Sequence, residues 1–255
     1  MLTERQEQVM RSVLDHEGAK RTHVVVSLSG AHAYGFPSPD SDLDLKAVHL
    51  DATRALLGLK PANTTADRLE VIDGVEIDYT SNELGHVLAG ILGGNGNYLE
   101  RVLGQLQPVK SAWLAPLQRL VQANLSQRLH RHYRGFATSQ LAEWQKSGFG
   151  SAKKLLYVLR TTLTGAHALK TGEVHTDVTA LLGLYGFEAA VELVEQKKRG
   201  ELAALPAEMA ERWRERVTRA FTLLDEALAT STLPAEPRAE EALEAWLVEV
   251  RLAAV

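Results

Sequence analysis

The sequence predicts an α+β chain: an α/β part over residues 1–108, then an all-helical part over 109–255. Three observations carry this. Val24-Val25-Val26 is a β-branched run, and residues 42–50 alternate, with Asp42, Asp44 and Lys46 on one face and Leu43, Leu45 and Ala47 on the other. Asp73-Gly74 stands between two further alternating runs, a strong short-range hairpin signal. Beyond Pro108 almost every segment is rich in Leu and Ala at helical spacing.

Taken in order, residues 3–17 read as a helix, with Thr3 and Gln6 as a capping box and Val9, Val13 and Leu14 as its apolar stripe. Residues 23–29 read as a buried strand that Gly30 ends. Residues 31–34 suit one helical turn, whose free amides favour an anion. Pro37 and Pro39 make 36–40 a loop. After the strand at 42–50 come a helix near 52–59, a loop through Pro61, Ala62 and Asn63, and the hairpin at 68–80. A helix over 81–92 is broken by Gly93-Gly94-Asn95-Gly96-Asn97, and a short helix follows at 98–105. Helices are expected near 112–122, 126–146, 152–170, 177–185, 187–199, 207–230 and 239–252, separated by Gly148, Gly172, Gly186, Gly200 and the segment from Pro234 to Pro237.

Composition narrows the function. The formal net charge of −4 excludes a basic nucleic-acid coat, though not a local basic surface. The cysteine count of 0 excludes a disulfide scaffold, a Cys-ligated zinc site and a cysteine nucleophile. The first residues are polar, and no run approaches the roughly 20 apolar residues of a membrane span. The expected location is cytoplasmic, with no membrane partner.

Asp42 and Asp44 project together from one strand face, where two carboxylates repel unless a cation lies between them. Mg²⁺ is commonly held by one or two carboxylates together with substrate phosphates. A third carboxylate on a neighbouring strand would complete a two-metal site; Asp78 is the first candidate and Glu76 the second. An Asp-x-Asp alone is weak, since a solvated edge strand carries such pairs incidentally.

The wider run is more specific. Ser29-Gly30-Ala31-His32-Ala33-Tyr34-Gly35, followed by Pro39-Asp40-Ser41-Asp42-Leu43-Asp44, resembles the nucleotidyltransferase superfamily of DNA polymerase β. More narrowly it is similar to the predicted bacterial and phage nucleotidyltransferases associated with RNA ligases. The segment from Gly94 to Glu100 and the run from Lys154 to Arg160 are similar to that branch too, so the likeness covers about residues 23–172. It implies a polymerase-β-like fold, a mixed sheet with helices, ahead of the helical part. Asp42, Asp44 and Asp78 are then the catalytic, metal-holding acids, for Mg²⁺ or Mn²⁺. Ser29, Gly30, His32, Ser41, Lys154, Tyr157 and Arg160 are the expected nucleotide-binding residues. Ala31 departs from the pattern, standing where the family usually carries Ser, so a hydroxyl for a phosphate oxygen is missing and backbone amides around Gly30 are left to serve.

On the helix at 152–170, Lys153, Tyr157 and Arg160 share one face, while Lys154 matches the family pattern more closely. One of these lysines is expected at the phosphates; a solvated basic face is the competing reading. Residues 128–134 are basic around Tyr133, which suits the phosphates of an RNA or DNA acceptor with Tyr133 stacked on a base; an exposed helix face competes here as well. Lys197, Lys198 and Arg199 close a helix and read as structural, and Trp113, Trp144, Trp213 and Trp246 read as core or half-buried anchors.

The expected function is metal-dependent transfer of a nucleoside monophosphate from an NTP, such as ATP, to a hydroxyl on an RNA end, a protein or a small molecule, with release of pyrophosphate. Two others compete. One is a non-catalytic sensor or accessory protein of an RNA repair system, suggested by Ala31. The other is an antitoxin-like transferase that modifies a partner protein docked on the helical part.

Overall fold

The structure, a computed structural model, describes residues 2–59, 63–200 and 203–253. The loop expected through Pro61 and Ala62 lies outside them. Helix α1 (Glu4–Gly18) opens the chain, and its Thr3/Gln6 capping box is formed. Strand β1 (Thr22–Leu28), the short α2 (Gly30–Tyr34), β2 (Leu43–Leu50), α3 (Thr53–Leu57), β3 (Thr65–Ile72) and β4 (Val75–Glu83) follow. Then come α4 (Leu84–Leu92), α5 (Gly96–Leu103), β5 (Val109–Lys110), α6 (Leu114–Ala123), α7 (Leu129–Lys146) and α8 (Ala152–Thr171). The chain ends with α9 (Val178–Leu182), α10 (Val191–Lys198), α11 (Ala207–Ala229) and α12 (Glu240–Ala253). The fold is thus a mixed sheet with helices followed by a helical region. The helix expected over 187–199 begins as a 3₁₀ turn at Glu188–Ala190, and the two-residue β5 has no periodic signal.

The sheet is five-stranded, in the order β3-β4-β2-β1-β5. β2 pairs antiparallel with β1 and parallel with β4, and the Asp73-Gly74 hairpin joins β3 to β4 in antiparallel register. Contacts divide the chain into two compact units, each made of more than one segment. The sheet unit comprises Met1–Gly30, Asp42–Leu125 and Pro237–Val255; the helical unit comprises Ala31–Ser41 and Ser126–Glu236. A single cut at residue 108 therefore does not describe them. Helix α6 goes with the sheet, and the chain returns at its end to place α12 against α6.

Alternation decides which face of the sheet is core. Leu43, Leu45 and Ala47 of β2 and Ile77 and Tyr79 of β4 are fully buried with Val9 and Val13 of α1. Burying each such aliphatic side chain contributes about 1.5–3 kcal/mol. Both histidines on this side have polar partners: His23 Nε2 lies 2.7 Å from the Tyr79 hydroxyl, and His49 Nδ1 lies 2.7 Å from Ser81 Oγ. Glu17, also buried, pairs with Arg21, with Lys20 at 3.2 Å and with Arg68 at 3.4 Å. The opposite face of β2 and β4 is left for Asp44, Lys46 and Asp78.

The helical unit is built around α8. Its Leu155, Leu156, Leu159 and Leu163 are buried with Trp144 of α7 and Trp213 of α11. Gly165 lets α7 and α8 approach closely, because a Cβ there would stand 2.6 Å from that of Tyr133. Residues 31–41, expected to end in an open loop, instead join this core: Tyr34 is 5 % exposed and Phe36 fully buried.

Candidate active site

Within the sheet unit the parallel register of β2 and β4 sets Asp44 beside Asp78 and Lys46 beside Thr80. All four residues are half-buried. Lys46 Nζ lies 2.7 Å from Asp78 Oδ1 and 3.9 Å from Asp44 Oδ1. Glu76, on the same face of β4, registers with Val71 of the edge strand β3 and is exposed. Asp78 rather than Glu76 is thus the acid across from Asp44.

Gly30 closes this site from behind. Its φ is +60°, and a Cβ on it would stand 1.8 Å from Asp44 Oδ2. Only a glycine lets the carboxylate come so close to the backbone. Ser29, half-buried, donates its backbone N–H to the Asp44 carbonyl at 2.9 Å, tying the end of β1 to β2. Asp42 precedes β2 by one residue and is half-buried.

The other expected nucleotide-binding residues belong to the helical unit. Arg160 is 1 % exposed, with its guanidinium carbon 3.7 Å from the centre of the Tyr34 ring. Tyr157 is half-buried, edge-on to Tyr34 and Phe36 at 5.6 and 5.8 Å. Lys154 Nζ donates to the Glu143 carbonyl at 3.2 Å and lies 3.8 Å from Glu143 Oε2. Ser41 is buried: its hydroxyl accepts the Ser38 N–H at 2.9 Å and lies 2.9 Å from Lys197 Nζ. His32 is half-buried, and burial holds its ring below the usual histidine range against a hydrogen bond to the Ser41 backbone.

One expectation in this unit is corrected. Tyr133 does not present a base-stacking face, because it is 1 % exposed and packs against Gly165 of α8. Three of the basic side chains around it are engaged as well: His130 and Arg134 meet Asp225 at 2.7 and 3.2 Å, and Arg128 pairs with Glu236. Lys197, read as structural, is 1 % exposed and holds Ser38 and Ser41 at 2.5 and 2.9 Å, so its structural part is a buried contact and not only a charge at the helix end. The signal for it was its spacing: Lys197 shares an α10 face with the buried Leu193 and Val194.

The model of the family described as RlaP, RNA repair pathway DNA polymerase beta family, matches residues 4–249. The chain belongs to that family. RlaP membership accords with the resemblance carried by residues 29–44, and with it the chain is a polymerase-β-type, nucleotidyltransferase-like protein of a family linked to RNA repair. A protein of Methanocaldococcus jannaschii described as uncharacterized is 29 % identical over 159 residues, covering 62 % of this chain and 64 % of that protein. The match thus spans less than two thirds of that relative's length. A nucleotidyltransferase-like protein from Exiguobacterium sibiricum gives a TM-score of 0.36 at 12 % identity, over 96 % of this chain and 79 % of that one, too slight a likeness to bear on the site. No helix among the described residues is long and apolar enough to cross a membrane.

Among the described residues no three acidic or histidine side chains are grouped closely enough to hold a metal ion. The donor chemistry nevertheless fits a hard cation. Asp44 and Asp78 are adjacent by register, and the positive group beside them, Lys46, meets only oxygens: the two carboxylates, the Asp78 carbonyl at 3.4 Å and Thr80 Oγ1 at 3.4 Å.

Proposed function

We propose that this chain is a nucleotidyltransferase that moves a nucleoside monophosphate from an NTP to a hydroxyl acceptor and releases pyrophosphate. The observation that carries the reading is the register of Asp44 with Asp78, backed by a glycine that no other residue could replace without displacing Asp44. RlaP membership supports both the NTP as donor and an acceptor in RNA repair, with an RNA end as the leading candidate. Asp44 and Asp78, adjacent by register, would hold Mg²⁺ or Mn²⁺ together with the phosphate oxygens of the nucleotide. Such an ion, when bound, lowers the pKa of an attacking hydroxyl and stabilises the departing pyrophosphate. The chain's own contribution is placement: β2 and β4 fix the carboxylates, and the Ser29 N–H to Asp44 carbonyl bond fixes the strand end behind them.

The test is pyrophosphate release from NTP in the presence of Mg²⁺ or Mn²⁺ and short RNA acceptors. Asp44→Asn and Asp78→Asn are each expected to lower turnover by at least about 100-fold, while circular dichroism remains that of the wild type. Wild-type turnover in Asp44→Asn overturns the assignment.

A second reading, nucleotide binding without transfer, is favoured by Ala31 and by Lys46, which already balances Asp78. Calorimetry with a non-hydrolysable NTP, run beside the pyrophosphate assay, separates the two. Saturable binding with no pyrophosphate from any acceptor favours the second.

A further inference from the structure

The Lys46 ammonium sits in a seat made only of oxygens. Asp78 Oδ1 is at 2.7 Å, the Asp78 carbonyl and Thr80 Oγ1 are each at 3.4 Å, and Asp44 Oδ1 is at 3.9 Å. Lys46 follows Asp44 by two residues on β2, so strand periodicity points both side chains to one face. The side chain is 17 % exposed, which places its charge within the sheet face rather than out in solvent. A hard divalent ion seeks the same donors, at the much shorter distance of about 2.1 Å for Mg²⁺. An ammonium and a divalent ion cannot both occupy the lone pairs of Asp78 Oδ1, because their charges repel at that spacing. The lysine stem is flexible and remains tethered to β2 after its head group moves away.

We infer that Lys46 is a resident counter-cation that competes with divalent metal for Asp44 and Asp78, and so sets how weakly the acids hold a metal before nucleotide arrives. The inference rests on the proposed reading only in taking these acids as the metal-holding pair. Lys46 is then a positioning residue: it keeps two adjacent carboxylates together without a metal and yields when triphosphate oxygens add their charge to the ion's side. A cation of the chain's own also limits the binding of stray divalent ions by the resting protein.

The experiment is titration of the full chain with Mn²⁺ in the absence of nucleotide, followed by electron paramagnetic resonance of the free ion. Lys46→Met keeps most of the length of the side chain and removes its charge; it is expected to bind Mn²⁺ at least about ten-fold tighter than the wild type. Lys46→Arg keeps a cation and is expected to stay within about three-fold of the wild type. In Lys46→Met/Asp78→Asn the gain is expected to vanish. Lys46→Gln serves in place of Lys46→Met if circular dichroism shows that variant unfolded. Equal or weaker Mn²⁺ binding on loss of the charge overturns the inference, as does a gain that survives Asp78→Asn. Failure of the transfer reading shows elsewhere, as absent pyrophosphate release by the wild type whatever its Mn²⁺ affinity.

Discussion

The acid face of the sheet and the basic run of helix α8 were both expected to present charge to a nucleotide, and the two regions use their charged side chains in opposite ways. On the sheet, Asp44, Lys46 and Asp78 stay on one half-buried face and meet one another. On α8, Arg160 turns into the core beneath Tyr34, and Lys154 turns back to Glu143 on α7. The difference follows from periodicity. A strand has two faces, so once Leu43 and Leu45 are buried the direction of Asp44 is settled. A helix can bury more than one stripe, and α8 is packed by α7 and by α11. Membership of a polar stripe therefore says little about exposure there.

The largest effect that would break the comparison is expected from Gly30→Ala. The added methyl would stand 1.8 Å from Asp44 Oδ2 and would force a side-chain-bearing residue to keep φ at +60°. The strain costs about 1–3 kcal/mol of stability. Turnover should fall as far as in Asp44→Asn, because the carboxylate has to move. Wild-type turnover in Gly30→Ala, measured as pyrophosphate release, would show that the placement of Asp44 is not what the site depends on.

Next in size is Arg160→Ala. The side chain is 1 % exposed and lies over Tyr34, so truncation opens a void in the core of the helical unit. The expected loss is about 2–4 kcal/mol in urea unfolding. A stable Arg160→Ala protein with weakened NTP binding would instead make Arg160 a ligand-facing group, and would sharpen α8 into a nucleotide-binding element.

A smaller effect belongs to the buried side of the sheet. Burial first, and the charge of Arg21 second, hold the His23 ring down to about 4. His49, its register partner, is lowered too, again chiefly by burial. Unfolded histidine titrates near 6.5, so between about 6.5 and 4 the unfolded chain binds the extra proton. Stability from His23 is therefore complete above about pH 6.5 and falls as the pH drops toward 4. His23→Gln should flatten the decline of the urea midpoint across that window. An unchanged slope would assign the acid sensitivity to other groups.

Legibility in the sequence tracks the same contrast. Thr3 with Gln6, the Asp73-Gly74 turn and the alternation of 42–50 are local signals, and the elements they mark formed within a few residues of the expected bounds. Strand parity put Asp78 on the same face as Asp44 once the strands were paired. The grouping of elements into units was not legible, because α6, α12 and residues 31–41 are assigned by contacts between segments far apart in the chain. The burial of Tyr133 and Lys197 is not legible for the same reason. Each lies in a polar run, and each is buried by partners that the local pattern does not contain, Gly165 for Tyr133 and the Ser38/Ser41 pair for Lys197.

The smallest effect is expected from Lys154→Ala, and it is the most pointed test of α8. Lys154 is 37 % exposed on its side chain and shares Glu143 with Lys146, which lies closer to that carboxylate at 2.7 Å. Exposed pairs of this kind contribute little, so the melting midpoint should move by no more than about 2 °C. If Lys154 keeps to Glu143, NTP affinity should change by less than about three-fold. Glu143→Gln supplies the opposite push, since it removes the carboxylate at 3.8 Å and leaves the ammonium only its bond to the Glu143 backbone carbonyl at 3.2 Å. Should Lys154 serve phosphate, Glu143→Gln would tighten NTP binding and Lys154→Ala would weaken it. A null result in both variants leaves Lys154 as a brace between α7 and α8.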